Sequence, residues 1–126
     1  MLGDNVAVAT IAVKDLSAAK KFYEQMLGLK LSGPAESAEV ATYQAGNTKL
    51  LVYRSQYAGT NKGTSVTWIA GEEIADLVNS LKTKGIKFEH YDFPGAKHEE
   101  DVHIIGPIKA AWFKDPDGNI HCITNN

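Results

Sequence analysis

Each half of the chain follows the same pattern of hydrophobic and polar positions. Residues 6–13 are β-branched or small apolar residues, which is typical of a short strand. Asp15 then supplies a side chain that caps helices, and the pattern that follows predicts a helix to about Leu27. The apolar residues at helical spacing are Ala18, Phe22 and Met26. Gly28 is suited to end this helix, and residues 29–31 begin a second strand.

The same order of elements returns in the second half. Residues 64–70 predict a strand, residues 72–84 a helix and residues 86–90 another strand. Gly28 and Gly85 lie 57 residues apart, and Ile11 and Trp68 have the same separation. The shared offset indicates an internal repeat.

Two turns complete the repeat. Residues 46–47 read Gly-Asn and residues 115–119 read Asp-Pro-Asp-Gly-Asn, so both predict tight hairpins. Residues 56–63 are rich in turn-forming residues and read as a linker. We therefore predict one α+β domain over residues 1–126, made of two β-α-β-β-β modules at approximately residues 1–57 and 62–126. The alternative is a generic α+β sandwich in which the repeat is accidental.

Two such modules side by side predict a curved, incompletely closed mixed sheet, with helices on its convex face and room for a ligand on its concave face. Side chains alternate between the two faces of a strand, and the more uniformly apolar sets belong under the helices. This alternation assigns Trp68 to the core. The residues predicted to line a ligand pocket on the concave face are Thr10, Tyr53, Ser65, Thr67, Trp112 and Cys122.

Two segments carry a family resemblance. Residues 11–31 read IAVKDLSAAKKFYEQMLGLKL, and residues 110–123 read AAWFKDPDGNIHCI. Together with the repeat, they resemble the vicinal oxygen chelate superfamily, which includes glyoxalases, extradiol dioxygenases, and fosfomycin- and bleomycin-resistance proteins. The resemblance covers nearly the whole chain, and it implies the paired-module fold, a small organic ligand and a homodimer.

The resemblance also identifies the positions at which enzymes of the superfamily hold a metal. In this chain they are Val8 and Ser65 on the first strand of each half, Cys122 beyond the second turn, and Leu51, or Leu50 if the hairpin is shifted by one. Divalent metals in these enzymes need imidazole and carboxylate ligands, which one thiol and one hydroxyl do not replace. We therefore expect no metal and no cofactor in the cavity.

A dense group of other potential metal ligands lies between Gly95 and Gly106. Its members are His98, Glu99, Glu100, Asp101 and His103. We interpret the group as a solvated acidic loop, because consecutive side chains rarely aim at one point and a loop gives ligands little support. Whether these residues bind a metal stays open in the sequence.

Composition and the remaining motifs exclude several classes of protein. The net charge of −2, without a basic stripe, argues against nucleic acid as a partner. No apolar run approaches the roughly 18 residues that span a bilayer, and no signal peptide is visible. Cys122 is the only cysteine, which fits a cytoplasmic location. Cys122 and His121 are adjacent on a strand, so they point to opposite faces and form no nucleophile–base pair.

These observations favour a metal-independent small-molecule binding protein of the glyoxalase/bleomycin-resistance-like type, with its ligand in the concave sheet cavity. The alternative is a glyoxalase- or dioxygenase-like lyase, isomerase or oxygenase with atypical or absent metal ligands. A purely structural module has no sequence feature in its favour. His121 stands where the superfamily usually has an aliphatic residue, and the sequence alone gives no reason for it.

Overall fold

The computed structural model describes residues 1–33 and 39–126 and has the predicted α+β fold. Its strands are β1 (Ala9–Val13), β2 (Lys30–Leu31), β3 (Val40–Ala45), β4 (Thr48–Arg54), β5 (Thr64–Ile69), β6 (Phe88–Glu89), β7 (Lys97–Glu99), β8 (Val102–Ile105), β9 (Ile108–Lys114) and β10 (Ile120–Thr124). Its helices are α1 (Leu16–Lys20), continued by a π-helix (Lys21–Met26), and α2 (Ile74–Thr83), with 3-10 turns at Leu2–Asp4 and Gly71–Glu73. Within these ranges, no helix is long and apolar enough to cross a membrane.

The chain divides into two compact units, Met1–Asn61 and Lys62–Asn126. The first unit contains a four-stranded mixed sheet in the order β1-β4-β3-β2, in which β1 runs parallel to β4. β3 and β4 form the predicted hairpin, and Gly46 takes a φ of 56° at its turn, a conformation that favours glycine. The buried face of β1 and β4 carries Ile11, Val13, Leu50 and Val52.

The first helix begins as predicted but buries a different face. The Asp15 carboxylate accepts hydrogen bonds from the backbone N–H groups of Ser17 (2.9 Å) and Ala18 (3.3 Å). Ala18 is nevertheless exposed and Met26 only half-buried. The buried side chains are those of Leu16, Ala19, Phe22 and Tyr23.

The buried side chains keep ordinary helical spacing but form a stripe next to the predicted one. In the π-helix that follows α1, the Leu27 N–H donates to the Phe22 carbonyl, five residues earlier, at 3.0 Å. Phe22 and Tyr23 are both buried there. Tyr23 stacks on Tyr43 of β3, and the Tyr43 hydroxyl donates to the Glu24 carboxylate at 2.8 Å. These contacts fix the π-helix against its sheet.

The second unit contains a six-stranded mixed sheet. β10 pairs in parallel with β5 and antiparallel with β9. The other edge of β9 pairs with β6 near its C-terminal end and with β8 near its N-terminal end. β7 completes the sheet by pairing with β8. The predicted module is present as α2 and the strands β5, β6, β9 and β10. The β7–β8 hairpin is an addition to it.

This hairpin corrects the interpretation of residues 98–103 as a solvated loop. Its turn is made possible by Glu100, which adopts a φ of 55°. β8 buries Val102 and His103, whereas the three residues of β7 are all exposed. The polar character of β7 therefore marks a sheet edge, where charged residues discourage pairing with other chains, rather than a loop.

The second predicted hairpin joins β9 to β10, and the Asp115 carboxylate organises its turn. Oδ1 of Asp115 accepts from the N–H groups of Asp117 and Asn119, each at 2.9 Å. Oδ2 accepts from the Asn119 side-chain amide at 2.8 Å. Gly118, at a φ of 89°, supplies the left-handed position. The Asp115 carboxylate thus serves the turn and not an acid–base pair.

His121 lies on the buried face of the six-stranded sheet. Its ring has no exposed surface and stacks on Phe113, with ring centroids 4.8 Å apart. Nδ1 accepts a hydrogen bond from the Trp68 indole N–H at 3.0 Å. Burial lowers the pKa of His121 to about 4, so the ring is neutral at neutral pH. Trp68, which was predicted to lie in the core, is half-buried beside His121.

Candidate functional site

One row of side chains crosses the opposite face of the six-stranded sheet. Thr67 of β5 pairs with Cys122 of β10, and Cys122 pairs with Trp112 of β9. Trp112 pairs in turn with Glu89 of β6. Because directly paired residues share a face, the strand register brings three of the predicted pocket residues side by side. Ser65, two residues before Thr67, lies where the register between β5 and β10 shifts, so the pairing does not assign it to this face.

The members of this row differ in exposure. Thr67 is exposed, and Trp112 is half-buried, as is Ser65 beside the row. Cys122 is 8% exposed, and burial raises the pKa of its thiol. A thiol with a raised pKa is a poor nucleophile at neutral pH. His121, on the other face, cannot act as its base.

The other two predicted residues lie in the first unit. Thr10 pairs with Leu51, and Tyr53 pairs with Ala12, so Thr10 and Tyr53 share the face opposite the buried Ile11. Both are exposed, and Tyr53 keeps 37% of its surface. The Thr10 hydroxyl donates to the Val8 carbonyl at 3.1 Å. This register selects Leu51, and not Leu50, as the residue on the face of Thr10.

Two functional groups on the Trp112 face were not predicted. His103 pairs with Ala110, which lies two residues from Trp112 on the same face, and its ring centroid is 4.9 Å from that of Trp112. Glu89 adds a carboxylate, which pairs with the Lys114 ammonium at 3.2 Å. Neither side chain was expected near the predicted pocket residues. The signal in the sequence was the run of β-branched residues Val102, Ile104 and Ile105, obscured by the acidic residues before it.

Aromatic rings surround Trp112 on this face. Tyr91 and Phe93 each have ring centroids 5.4 Å from that of Trp112. Both belong to residues 90–96, which connect β6 to β7 and which we call the 90–96 strap. His103 contacts the same rings, at 6.1 Å from Tyr91 and 6.0 Å from Phe93. The strap therefore lies against the face that carries Trp112.

His103 holds the strap by a specific hydrogen bond. The backbone N–H of Tyr91 donates to Nε2 of His103 at 2.8 Å. Nε2 can accept only if it carries no proton, so the neutral ring is protonated at Nδ1. Nδ1 is buried and makes no hydrogen bond. Burial, followed by the nearby His98, lowers the pKa of His103, although the peptide groups of Ala110 and Asp101 oppose this shift.

The β7–β8 turn is tied to the rest of the unit through Asp101. Its carboxylate lies 2.6 Å from the Lys82 ammonium near the end of α2 and 2.7 Å from Nε2 of His90. The Lys82 and His90 contacts lower the pKa of Asp101. His98 lies opposite His103 across the hairpin, with ring centroids 4.3 Å apart, and stacks on His90 at 5.5 Å. Three imidazoles are thus grouped at one end of the sheet.

The residues that the structure describes do not fit a metal ion. Among residues 1–33 and 39–126, no group of three or more His, Cys, Asp or Glu side chains is arranged to hold one. The positions implied by the resemblance offer two hydrocarbon side chains, a hydroxyl and a buried thiol, and Val8 precedes β1 rather than lying in it. His103 has no nitrogen to offer, because Nε2 accepts from Tyr91 and Nδ1 carries the proton.

A separate cleft of about 420 Å³ opens in the first unit at the ends of β1 and β4. It is lined by Lys14, Arg54, Ser55 and Gln56. Arg54 also forms an ion pair with Glu39 at 3.6 Å. The cleft contains none of the six predicted pocket residues, although Tyr53 adjoins Arg54 in β4.

Solved structures share this architecture at low identity. An integron cassette protein from the mobile metagenome of a Halifax Harbour sewage outfall is 17% identical, with 97% of this chain and 98% of that chain covered and a TM-score of 0.70. A glyoxalase/bleomycin resistance protein/dioxygenase from Alicyclobacillus acidocaldarius is 19% identical, with 96% and 90% covered and a TM-score of 0.69. The fosfomycin resistance protein FosX from Mesorhizobium loti is 8% identical, with 98% and 92% covered and a TM-score of 0.68. These identities establish a shared fold alone.

Sequence comparison identifies the family. No curated protein sequence matches the chain. A model of the Glyoxalase/Bleomycin resistance protein/Dioxygenase superfamily, however, matches residues 5–123. The match includes both segments that carry the resemblance and almost every described element. The chain therefore belongs to the glyoxalase/bleomycin resistance protein/dioxygenase superfamily.

Proposed function

We propose that this protein binds a small organic molecule, without a metal, on the sheet face that carries Thr67, Cys122 and Trp112. The observation that supports the proposal is the strand register that aligns an exposed hydroxyl, a thiol and an indole on three adjacent strands. Pockets for small organic ligands combine apolar and aromatic surface with a few polar groups that fix orientation. Trp112 supplies the surface for an apolar body, and Thr67 supplies a hydrogen-bonding group.

The donor chemistry of the same face supports binding without a metal. Cys122 on this face, and Ser65 beside it on β5, stand at two of the positions that the resemblance assigns to metal ligands. A neutral, buried thiol and an alcohol are weak ligands for the hard divalent ions that imidazole and carboxylate sets hold. Thr10 and Tyr53 are proposed to contribute on the polar face of the first sheet. The homodimer and the cytoplasmic location remain proposals of the same kind.

The binding proposal predicts a selective effect of Thr67→Val. Small aromatic compounds that each carry one carbonyl or carboxylate group are titrated into ¹⁵N-labelled protein, and amide shifts are followed by NMR. Compounds that shift the Thr67, Trp112 and Cys122 signals should bind about 3- to 10-fold more weakly to Thr67→Val, because one hydrogen bond is lost. Thr83→Val changes an exposed threonine on α2 in the same way and should leave affinity unaltered. Shifts confined to other parts of the protein, or equal weakening by both variants, would contradict the proposal.

The metal proposal predicts that elemental analysis of purified, tag-free protein finds no divalent transition metal at a stoichiometric level. Dialysis against a chelator should likewise leave the fragment affinities of the native chain unaltered. A stoichiometric metal that is lost in Cys122→Ser would place a metal on the proposed ligand face and refute metal independence. A metal retained by that variant but lost in His98→Gln would locate it instead at the β7–β8 hairpin.

A further inference from the structure

We infer that His103 is a pH-dependent latch: its neutral ring holds the 90–96 strap against Trp112, and protonation of the ring releases the strap and uncovers that face. The inference concerns the regulation of the proposed binding face and rests on the proposed function only in that respect. The latch itself is a property of the fold, and the contacts within the second unit support it without reference to any ligand.

The first argument is the direction of the Tyr91–His103 hydrogen bond. A backbone N–H is always a donor, so the bond at 2.8 Å exists only while Nε2 of His103 has a free lone pair. Protonation makes both ring nitrogens donors and sets the N–H of Nε2 against the N–H of Tyr91. The contact then changes from a hydrogen bond to a repulsion between two donors.

The second argument is that the side-chain contacts of the strap converge on His103 and its neighbours. Tyr91 and Phe93 contact Trp112 and His103. His90, at the start of the strap, contacts the His103 ring, stacks on His98 and pairs with the Asp101 carboxylate. Phe93 keeps 39% of its surface exposed. Within the strap, the Ala96 N–H donates to the Phe93 carbonyl at 3.0 Å, and Gly95 takes a φ of 78°. These local turns can persist when the strap moves away from the sheet.

The third argument concerns the charged groups that face His103. His98 faces it from β7 and His90 from the strap, with ring centroids at 4.3 and 6.0 Å. Tyr91, also from the strap, is the third titratable neighbour, and the β9 neighbours Ala110 and Trp112 carry no charge. Asp101, two residues before His103 in the sequence, is engaged by Lys82 and His90. A proton on His103 is therefore opposed by charge on His98 and His90, and this opposition adds to the release of the strap.

The direction of the pH response follows from burial. His103 has no exposed surface, and burial holds its pKa below the ordinary histidine value of 6.5. The latch is therefore closed at neutral pH and opens only on acidification. The ring nitrogen that the strap covers is Nε2, which can donate to water once the strap has left.

The test follows the latch by NMR in protein labelled with ¹⁵N, from about pH 7.5 downward to the onset of unfolding. The ring nitrogen shifts of His103 report its protonation, and hydrogen exchange reports the Tyr91 N–H. Exposure of the Trp112 indole is measured by line broadening with the neutral nitroxide TEMPOL, and the Trp68 indole, bonded to His121, is the internal control. As His103 becomes protonated, protection of the Tyr91 N–H should fall at least about tenfold, and broadening at Trp112 should rise about twofold while that at Trp68 stays constant.

Two variants separate the latch from a general loss of structure. His103→Gln keeps a hydrogen-bond acceptor that does not titrate, so protection of the Tyr91 N–H should become independent of pH. His98→Gln removes the nearest imidazole charge and should move the opening to higher pH. A protonated His103 with Tyr91 still protected would overturn the inference, and so would a His103 that stays neutral until the protein unfolds.

The same samples distinguish failure of the latch from failure of the proposed function. Neither hydrogen exchange nor TEMPOL broadening requires a ligand, so both test the latch alone. The Thr67→Val fragment titration, carried out at pH 7.5, tests the binding face alone. If the face binds and the latch operates, the compounds that shift the Trp112 amide signal should bind the native chain with different affinities above and below the opening pH. In His103→Gln, their affinities should be the same at both pH values.

Discussion

Trp68→Ala should lower the free energy of unfolding by about 3 kcal/mol, which is near the lower end of the range for large aromatic truncations because Trp68 is only half-buried. Two losses combine in this variant. The indole no longer packs beside His121, and Nδ1 of His121 loses the donor that satisfies it at 3.0 Å in a ring without exposed surface. An acceptor left buried without a partner costs about 1–3 kcal/mol by itself. Urea unfolding monitored by circular dichroism measures the sum.

Neighbouring substitutions provide the matched controls for Trp68→Ala. Thr67→Val, at the adjacent exposed position, should change stability by no more than about 0.5 kcal/mol. Trp68→Phe keeps an aromatic ring against His121 and removes only the hydrogen-bond donor. Its loss of stability should therefore lie between those of Thr67→Val and Trp68→Ala. Equal costs for the changes at positions 67 and 68 would mean that the β5 register is wrong by one residue. The proposed binding face would then be wrong as well, because Thr67 would not lie on it.

His121 should make the protein less stable as the pH falls from 6.5 to about 4. Its folded pKa of about 4 lies below the ordinary value of 6.5, since burial disfavours the charged ring. Between these values the unfolded chain binds a proton that the folded chain does not, so protonation favours unfolding. The stability contributed by the neutral ring is complete above pH 6.5 and declines as the pH falls through this window. The loss amounts to about 3 kcal/mol.

Denaturant unfolding at several pH values, in the native chain and in His121→Gln, measures this effect. Glutamine does not titrate and still offers an oxygen to the Trp68 indole N–H. The variant is expected to be less stable than the native chain at neutral pH but to lose less stability on acidification, because it lacks the titrating ring. Some loss remains, because other groups, including His103, still titrate. The difference between the two curves isolates His121. Parallel curves would show that His121 is not kept neutral by burial.

The pattern of the sequence was sufficient for much of the fold because the relevant interactions are local. Asp15 caps its helix through residues two and three positions away. Asp115 organises its turn within four residues, and Gly46 and Gly118 supply positive φ angles. Alternation along β1 correctly separates the buried Ile11 from the exposed Thr10. Such signals depend on backbone geometry that neighbouring residues share, so they are readable before any tertiary contact is known.

Other features follow from pairings that no local pattern contains. The role of His121 emerges only when β10 lies beside β5 and brings it to Trp68, 53 residues away in sequence. The first helix buries Tyr23, rather than Ala18 and Met26, because Tyr23 packs on Tyr43 of β3. In each case a distant partner decides which of several acceptable local conformations is adopted, because burial against that partner outweighs the local preference.

The sequence by itself determined the repeated order of strands and helices and the two tight hairpins. It also determined the alternation along the strands that leaves residues such as Thr10 and Thr67 exposed. Periodicity and turn chemistry act over a few residues, and this made them sufficient. Only the tertiary structure decided that residues 97–105 form a hairpin, that His98 faces His103 across it, and that His103 reaches Tyr91. The physical reason is register: β8 becomes a buried strand only because β9 is there to pair with it.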